Sequence, residues 1–189
     1  MPSKPSPEIS RRDFIASTTA FAGLAVSLGQ TSRCAAAGEK QTARKPTMFQ
    51  HACMTLPYSS FPLERALTGI KSAGYQHVAW GVKHREANGE NVPVIAEDAS
   101  PDVAKELAKR CRGMGLEPVM MFSTIYPEHA RGLDVLTRRI KQAAAANIGQ
   151  VLTFGHTQGG NRAVWIERFK ALGPIARDNN VTLVVKQHG

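Results

Sequence analysis

The chain has 189 residues, 42% of them hydrophobic and 21% charged, with a net charge of +9. This is ordinary globular composition, with length for one domain and little to spare. The basic balance does not mark a nucleic-acid groove: Lys and Arg are scattered over helix-like segments, as at Lys105, Lys109, Arg110 and Arg112, and no aromatic-rich strand is interleaved with them. Small anionic ligands remain compatible with it.

Residues 1–37 are predicted to be a targeting segment. Ser10-Arg11-Arg12-Asp13-Phe14-Ile15 precedes a moderately apolar run from Phe14 to Leu28, and Ala35-Ala36-Ala37 supplies the small residues a signal peptidase reads. The run is too short and too weakly apolar for a stable membrane anchor, and no polar face recurs at helical period. The motif resembles the signal of the bacterial twin-arginine pathway, which carries folded proteins. That resemblance implies the twin-arginine translocase as a partner during export and a periplasmic or extracytoplasmic location. Cys34 follows Thr31-Ser32-Arg33, where a lipoprotein site wants small apolar residues, so lipidation is set aside. Residues 38–47 are polar and basic and read as a linker.

From there the elements alternate. Strands are predicted at 49–56, 75–80, 116–124, 148–154 and 181–186. A helix opened by Pro62 runs to Lys71 with Gly74 beyond its end, and another starts at Pro101 and is stopped by Gly113 and Gly115. A third is opened by Pro127 and a fourth is capped by Asn161, with Gly173-Pro174 expected to kink or interrupt it before the Asn179-Asn180 stop. The connection from Gly81 to Ala99 is long and polar, and loops of that length are often functional.

Strand–helix alternation at this spacing implies parallel strands with right-handed crossovers. An open doubly wound sheet would need a Gly-rich phosphate loop after the first strand, and the stretch from Met54 to Ser60 supplies none. The expected fold is therefore an α/β TIM (β/α)8 barrel. A complete one takes roughly 250 residues, so residues 48–189 are expected to hold about five of eight strands, as a truncated barrel. Its unclosed edges would favour pairing with another copy, a possible homo-oligomer.

Ala73-Gly74-Tyr75-Gln76-His77-Val78-Ala79-Trp80 resembles the second-strand signature of the sugar phosphate isomerase/epimerase family, the xylose-isomerase-like TIM barrels. Gly113-Met114-Gly115-Leu116-Glu117-Pro118-Val119 is similar to the family's third-strand entry, and Val181-Thr-Leu-Val-Val-Lys-Gln-His188 to its fifth strand. The resemblance covers residues 48–189. It implies divalent-metal-assisted isomerisation or epimerisation of a sugar or sugar phosphate at the carboxyl face of the barrel. Two positions depart from the pattern: Ala79 and Lys186 stand where the family usually has Glu. An ammonium in place of an anionic oxygen ligand removes a hard-cation site, so the metal is not carried over.

Parity puts Thr182, Val184, Lys186 and His188 on one face of the last strand, with Lys186 and His188 in the barrel mouth as candidate catalytic groups. Lys186 can bind phosphate or carboxylate, act as a base or form an imine, or simply reach solvent. His156, in the Gly-rich loop 155–160 whose amides could take an anion, and His77, on the parity of Ala79, are candidate substrate contacts. His51 reads as structural, and His84 and His129 are given no role. Cys53 and Cys111 are expected to be buried free thiols, a disulfide between them being the alternative. Three functions stay open: isomerase or epimerase by proton transfer beside a carbonyl, lysine-dependent lyase or aldolase, and a sugar-binding barrel without a metal.

Overall fold

The computed structural model describes residues 49–157 and 159–187. The predicted targeting segment and linker lie outside the described residues, as does His188. The elements are β1 (Ala52–Met54), a 3-10 turn (Leu56–Tyr58), α1 (Leu63–Ser72), β2 (His77–Trp80), β3 (Lys83–Arg85), β4 (Asn91–Pro93) and α2 (Pro101–Gly113). β5 (Glu117–Phe122), α3 (Gly132–Ala145), β6 (Gln150–Phe154), α4 (Arg162–Asp178) and β7 (Thr182–Lys186) follow.

Five strands form one parallel sheet in the order β1-β2-β5-β6-β7, and β3 and β4 form a separate antiparallel pair. The order follows the chain without reversal, so the sheet has no switch point of the doubly wound kind. The helices settle the architecture. Val78, Trp80, Met121 and Val151 join Leu67, Ala108, Leu136, Ile140 and Leu172 in one buried cluster, so α1 to α4 cover the same face of the sheet. A doubly wound sheet would carry helices on both faces. Full burial of a side chain such as Leu67, Leu116, Leu136 or Ile140 contributes about 1.5–3 kcal/mol.

Each helix hands the chain to the next strand through the same turn. Leu116 N donates to Cys111 O at 3.0 Å, Ile148 N to Ala143 O at 2.8 Å and Val181 N to Ala176 O at 2.9 Å. These six-residue closures need a left-handed residue beyond the helix end, and Gly115 (φ 75°), Asn147 (φ 53°) and Asn180 (φ 54°) provide it. Gly113, predicted as a stop, is the last residue of α2; the left-handed position two residues later does the stopping. At the first of these joints Arg112 grips Glu117 through Nε at 3.0 Å and Nη2 at 2.8 Å, and Nη2 also donates to Ala146 O at 2.9 Å. The carboxylate keeps the Arg112 guanidinium above its ordinary range.

Four expectations are corrected. The polar connection after β2 contains the β3–β4 hairpin: Gly89 takes φ 87°, Glu86 N donates to Glu90 O at 2.8 Å, and Asn88 Oδ1 accepts Glu90 N at 3.0 Å. α3 begins at Gly132 and not at Pro127, because residues 126–131 are held as a turn by tertiary partners, Glu128 by Thr157 and Arg131 by Glu97. α4 is not interrupted at Pro174; the proline is exposed, so water can satisfy the carbonyl it frees one turn back. β1 is three residues long and Phe49 and His51 before it are exposed, because only Ala52 to Met54 meet partners on β2.

Cys53 and Cys111 are free thiols, Cys111 buried and Cys53 half-buried. Burial pushes the Cys111 thiol up, against a smaller opposing pull from the Trp80 indole.

Candidate active site at the carboxyl ends of the strands

β7 carries its side chains as parity requires. β6 and β7 pair Leu152 with Val184 and Phe154 with Lys186, so these four share the face turned away from the helices, while Leu183 packs against the helix-side core. Lys186 thus ends its strand on the inner face, at the carboxyl end.

Three aromatic side chains surround that end. Phe122 and Phe154, the last residues of β5 and β6, meet edge to face with centroids 5.5 Å apart at 84°. Tyr126 stacks on Phe154 at 4.6 Å and 25°. The Lys186 ammonium stands 6.0 Å from the Phe122 ring centre, at the outer reach of a cation–π contact, and has no ion pair among the described residues. The four groups form an aromatic shelf with a cation at its edge. Phe122 is 5% exposed and backs the shelf, so the half-buried Phe154 and Tyr126 rings are the ones whose negative faces suit the weakly positive C–H face of a sugar ring, and the ammonium suits an anionic oxygen.

The loops hold this shelf in place. Tyr126 O accepts His129 N at 3.0 Å and His129 O accepts Gly132 N at 2.7 Å. A Cβ on Gly132 would meet the carbonyl oxygens of Pro127 and Tyr126, so the turn closes only with glycine there. Glu128 Oε1 accepts Thr157 N at 2.7 Å, while Oε2 is buried with no partner. Glu128 thereby clamps the loop after β6 to the loop after β5. On the far side, Thr55 Oγ1 accepts Gly81 N at 2.9 Å and ties the end of β1 to the end of β2.

Three of the loop amides expected to take an anion already have partners. Thr157 N is taken by Glu128, Gly155 N by Lys186 O at 3.0 Å, and Gly160 N by Thr157 O at 3.0 Å. Lys186, with no ion pair among the described residues, is a cation at the same strand end that can meet an anion. His156 is exposed in the same loop and lies at the carboxyl end of the sheet, two residues beyond Phe154. His77 does not. It opens β2 level with Glu117 at the start of β5, roughly 16 Å below Phe122 at about 3.3 Å per residue. His84, given no role by sequence, is buried on β3. Sequence reasoning missed Phe122, Tyr126, Phe154 and Glu128; the one available signal was a Phe closing two successive strands on matching parity.

The family resemblance implies a divalent cation, and the described residues do not fit one here. Ala79 and Lys186 stand at the positions where carboxylates are expected, Glu128 is turned to an amide, and no three His, Cys, Asp or Glu side chains come together among the described residues.

The sequence matches no family model and no curated protein. Solved structures do resemble it. A xylose isomerase-like TIM barrel/4-hydroxyphenylpyruvate dioxygenase fusion protein is similar with a TM-score of 0.52 at 16% identity, over 75% of this chain and 22% of that one. The IOLI protein with a binding zinc atom is similar with a TM-score of 0.52 at 11% identity, over 75% of this chain and 52% of that one. D-psicose 3-epimerase, in the presence of D-fructose, gives 0.51 at 11% identity, over 71% and 51%. The chain spans about half the length of the last two, from 51% to 52%. Likeness at such identities shows the fold alone: this is a TIM-barrel fold, and the described residues form five consecutive parallel strands of it.

Proposed function

We propose that the chain is a sugar isomerase/epimerase-like protein that binds a sugar or sugar phosphate at the strand ends and moves a proton beside its carbonyl. The observation that carries this reading is the Lys186 ammonium above Phe122, next to the Phe154–Tyr126 stack. The sugar's C–H face lies on the shelf, and Lys186 holds its anionic group or the enediolate oxygen. A base takes the proton from the carbon next to the carbonyl, and the freed electron pair gives the enediolate. Reprotonation at the same carbon yields the epimer, and at the neighbouring carbon the isomer. His188 is proposed as the proton carrier and His156 as a substrate contact. The twin-arginine segment is proposed to deliver the folded chain to the periplasm.

Solvent-deuterium incorporation into ketose phosphates, followed by proton NMR, tests this reading. Exchange beside the carbonyl is expected, with Lys186→Met slower by about a hundredfold. A panel that neither binds nor exchanges refutes it. A second reading rests on the absence of an ion-pair partner for Lys186 among the described residues: its amine adds to a substrate carbonyl, loses water and forms an imine. Borohydride in the presence of substrate would then leave a stable adduct on Lys186, and an unlabelled lysine sinks that version. Binding without exchange or trapping would instead mark a sugar-binding barrel.

A further inference from the structure

A second concave site lies on the helix side, and none of its lining residues belongs to the strand-end shelf. α2 lies against α3 and α3 against α4, whereas no comparable packing joins α1 to α2. Between α1, α2 and the β3–β4 hairpin runs a groove of about 900 Å³. Val92, Ile95, Val103 and Leu107 give it an apolar lining, and Val92 and Val103 are exposed.

The polar groups of the groove are mostly acceptors. His84 is only 1% exposed and lines it. The Nδ1 atom of His84 lies 2.8 Å from Phe61 O, which can only accept, so in the neutral ring Nδ1 carries the proton and Nε2 offers a lone pair. That Nε2 is buried without a partner, a condition folded proteins rarely leave unmet. Glu86 and Glu106 also line the groove, and Glu106 has no ion pair among the described residues, nor does the Glu86 side chain. Arg110 is neutralised by Glu64 at 2.6 Å, which leaves Lys109 as the one lining cation without a carboxylate partner among the described residues. In a chain of net charge +9, this groove has more carboxylates than cations.

We propose that the groove binds a small organic cation with an apolar body, an alkyl- or arylammonium. Its apolar part lies on Val103, Leu107, Val92 and Ile95. Its N–H groups donate to Glu86, Glu106 and the His84 Nε2. The site is independent of the chemistry proposed at the strand ends.

The test is calorimetric titration of the full 189-residue chain with 2-phenylethylammonium, 2-phenylethanol and 3-phenylpropionate, alongside NMR of ¹⁵N-histidine-labelled protein. The amine is expected to bind saturably and shift the His84 Nε2 resonance, the alcohol to bind more weakly, and the acid not at all. Glu86→Gln combined with Glu106→Gln is expected to weaken amine binding about tenfold. Glu106 is exposed on α2, so Glu106→Gln alone keeps the test open should the double variant, or a His84 variant, fail to fold. Absence of saturation, equal binding of the acid, or amine binding indifferent to both glutamates would overturn the proposal.

Discussion

Arg139 is 6% exposed and latches the segment after the hairpin to α3. Its Nη1 donates to Ile95 O at 2.9 Å and to Gln142 Oε1 at 2.9 Å, and Gln142 Nε2 donates to Ala96 O at 3.1 Å and Ala99 O at 2.9 Å. Burial holds the guanidinium below its ordinary range, with Glu97 opposing. Arg139→Met leaves two buried acceptors without donors, each costing about 1–3 kcal/mol. Relief of the buried charge and the apolar methionine offset part of that loss. The expected net effect is a local destabilisation of about 2 kcal/mol, because two well-formed charge-assisted bonds from Nη1 outweigh the desolvation of the guanidinium, whose Nε is buried without a partner. Amides of residues 95–99 should then exchange about thirtyfold faster, read by hydrogen-exchange mass spectrometry. Gln142→Leu should act on the same segment, and the double variant should cost less than the two singles summed, since they share one network. Unchanged or slower exchange in Arg139→Met would refute the reasoning and show that burying the guanidinium costs as much as its bonds contribute.

Gly115→Ala places a Cβ on a residue at φ 75° and is expected to destabilise by about 1–2 kcal/mol, whereas Asn147→Gly, at φ 53°, should be neutral or mildly stabilising in urea denaturation. Cys111 holds its proton more tightly folded than unfolded, so its contribution is complete below the ordinary thiol pKa of about 8.5 and is lost as pH rises through the raised value. The stability deficit of Cys111→Ala should therefore shrink on the alkaline side, and a constant deficit would argue against a buried neutral thiol. Replacing Arg11 and Arg12 together by Lys should keep the protein in the cytoplasm by fractionation and immunoblot, and undiminished export would remove the twin-arginine assignment.

The five parallel strands were legible because aliphatic runs and helix stops recur along the chain, and the left-handed residues Gly115, Asn147 and Asn180 mark where the last three of them begin. The hairpin was not. Its strands, Lys83–Arg85 and Asn91–Pro93, are too short and polar to show a period, and their pairing depends on the Asn88-Gly89 turn. Lys186 could be placed on the inner face because parity needs only the strand itself. His77 was misplaced because parity gives the face of a residue but not its height in the sheet, which comes from register with β5. The shelf escaped notice because Phe122 and Phe154 read as core, and Tyr126 becomes part of it only through a turn that closes at Gly132. Glu128 read as the first turn of a helix that starts four residues later.

Affinity for a ketose phosphate and for the same ketose without phosphate, measured on the wild-type chain, Lys186→Met and Tyr126→Ala, tests the strand-end site most directly. Lys186→Met is expected to weaken the phosphate by about tenfold or more, the loss of one charge-assisted contact, and to leave the neutral sugar nearly unchanged. Tyr126→Ala is expected to weaken both. Equal affinities across all three proteins would contradict a sugar site built on Lys186 and its aromatic shelf.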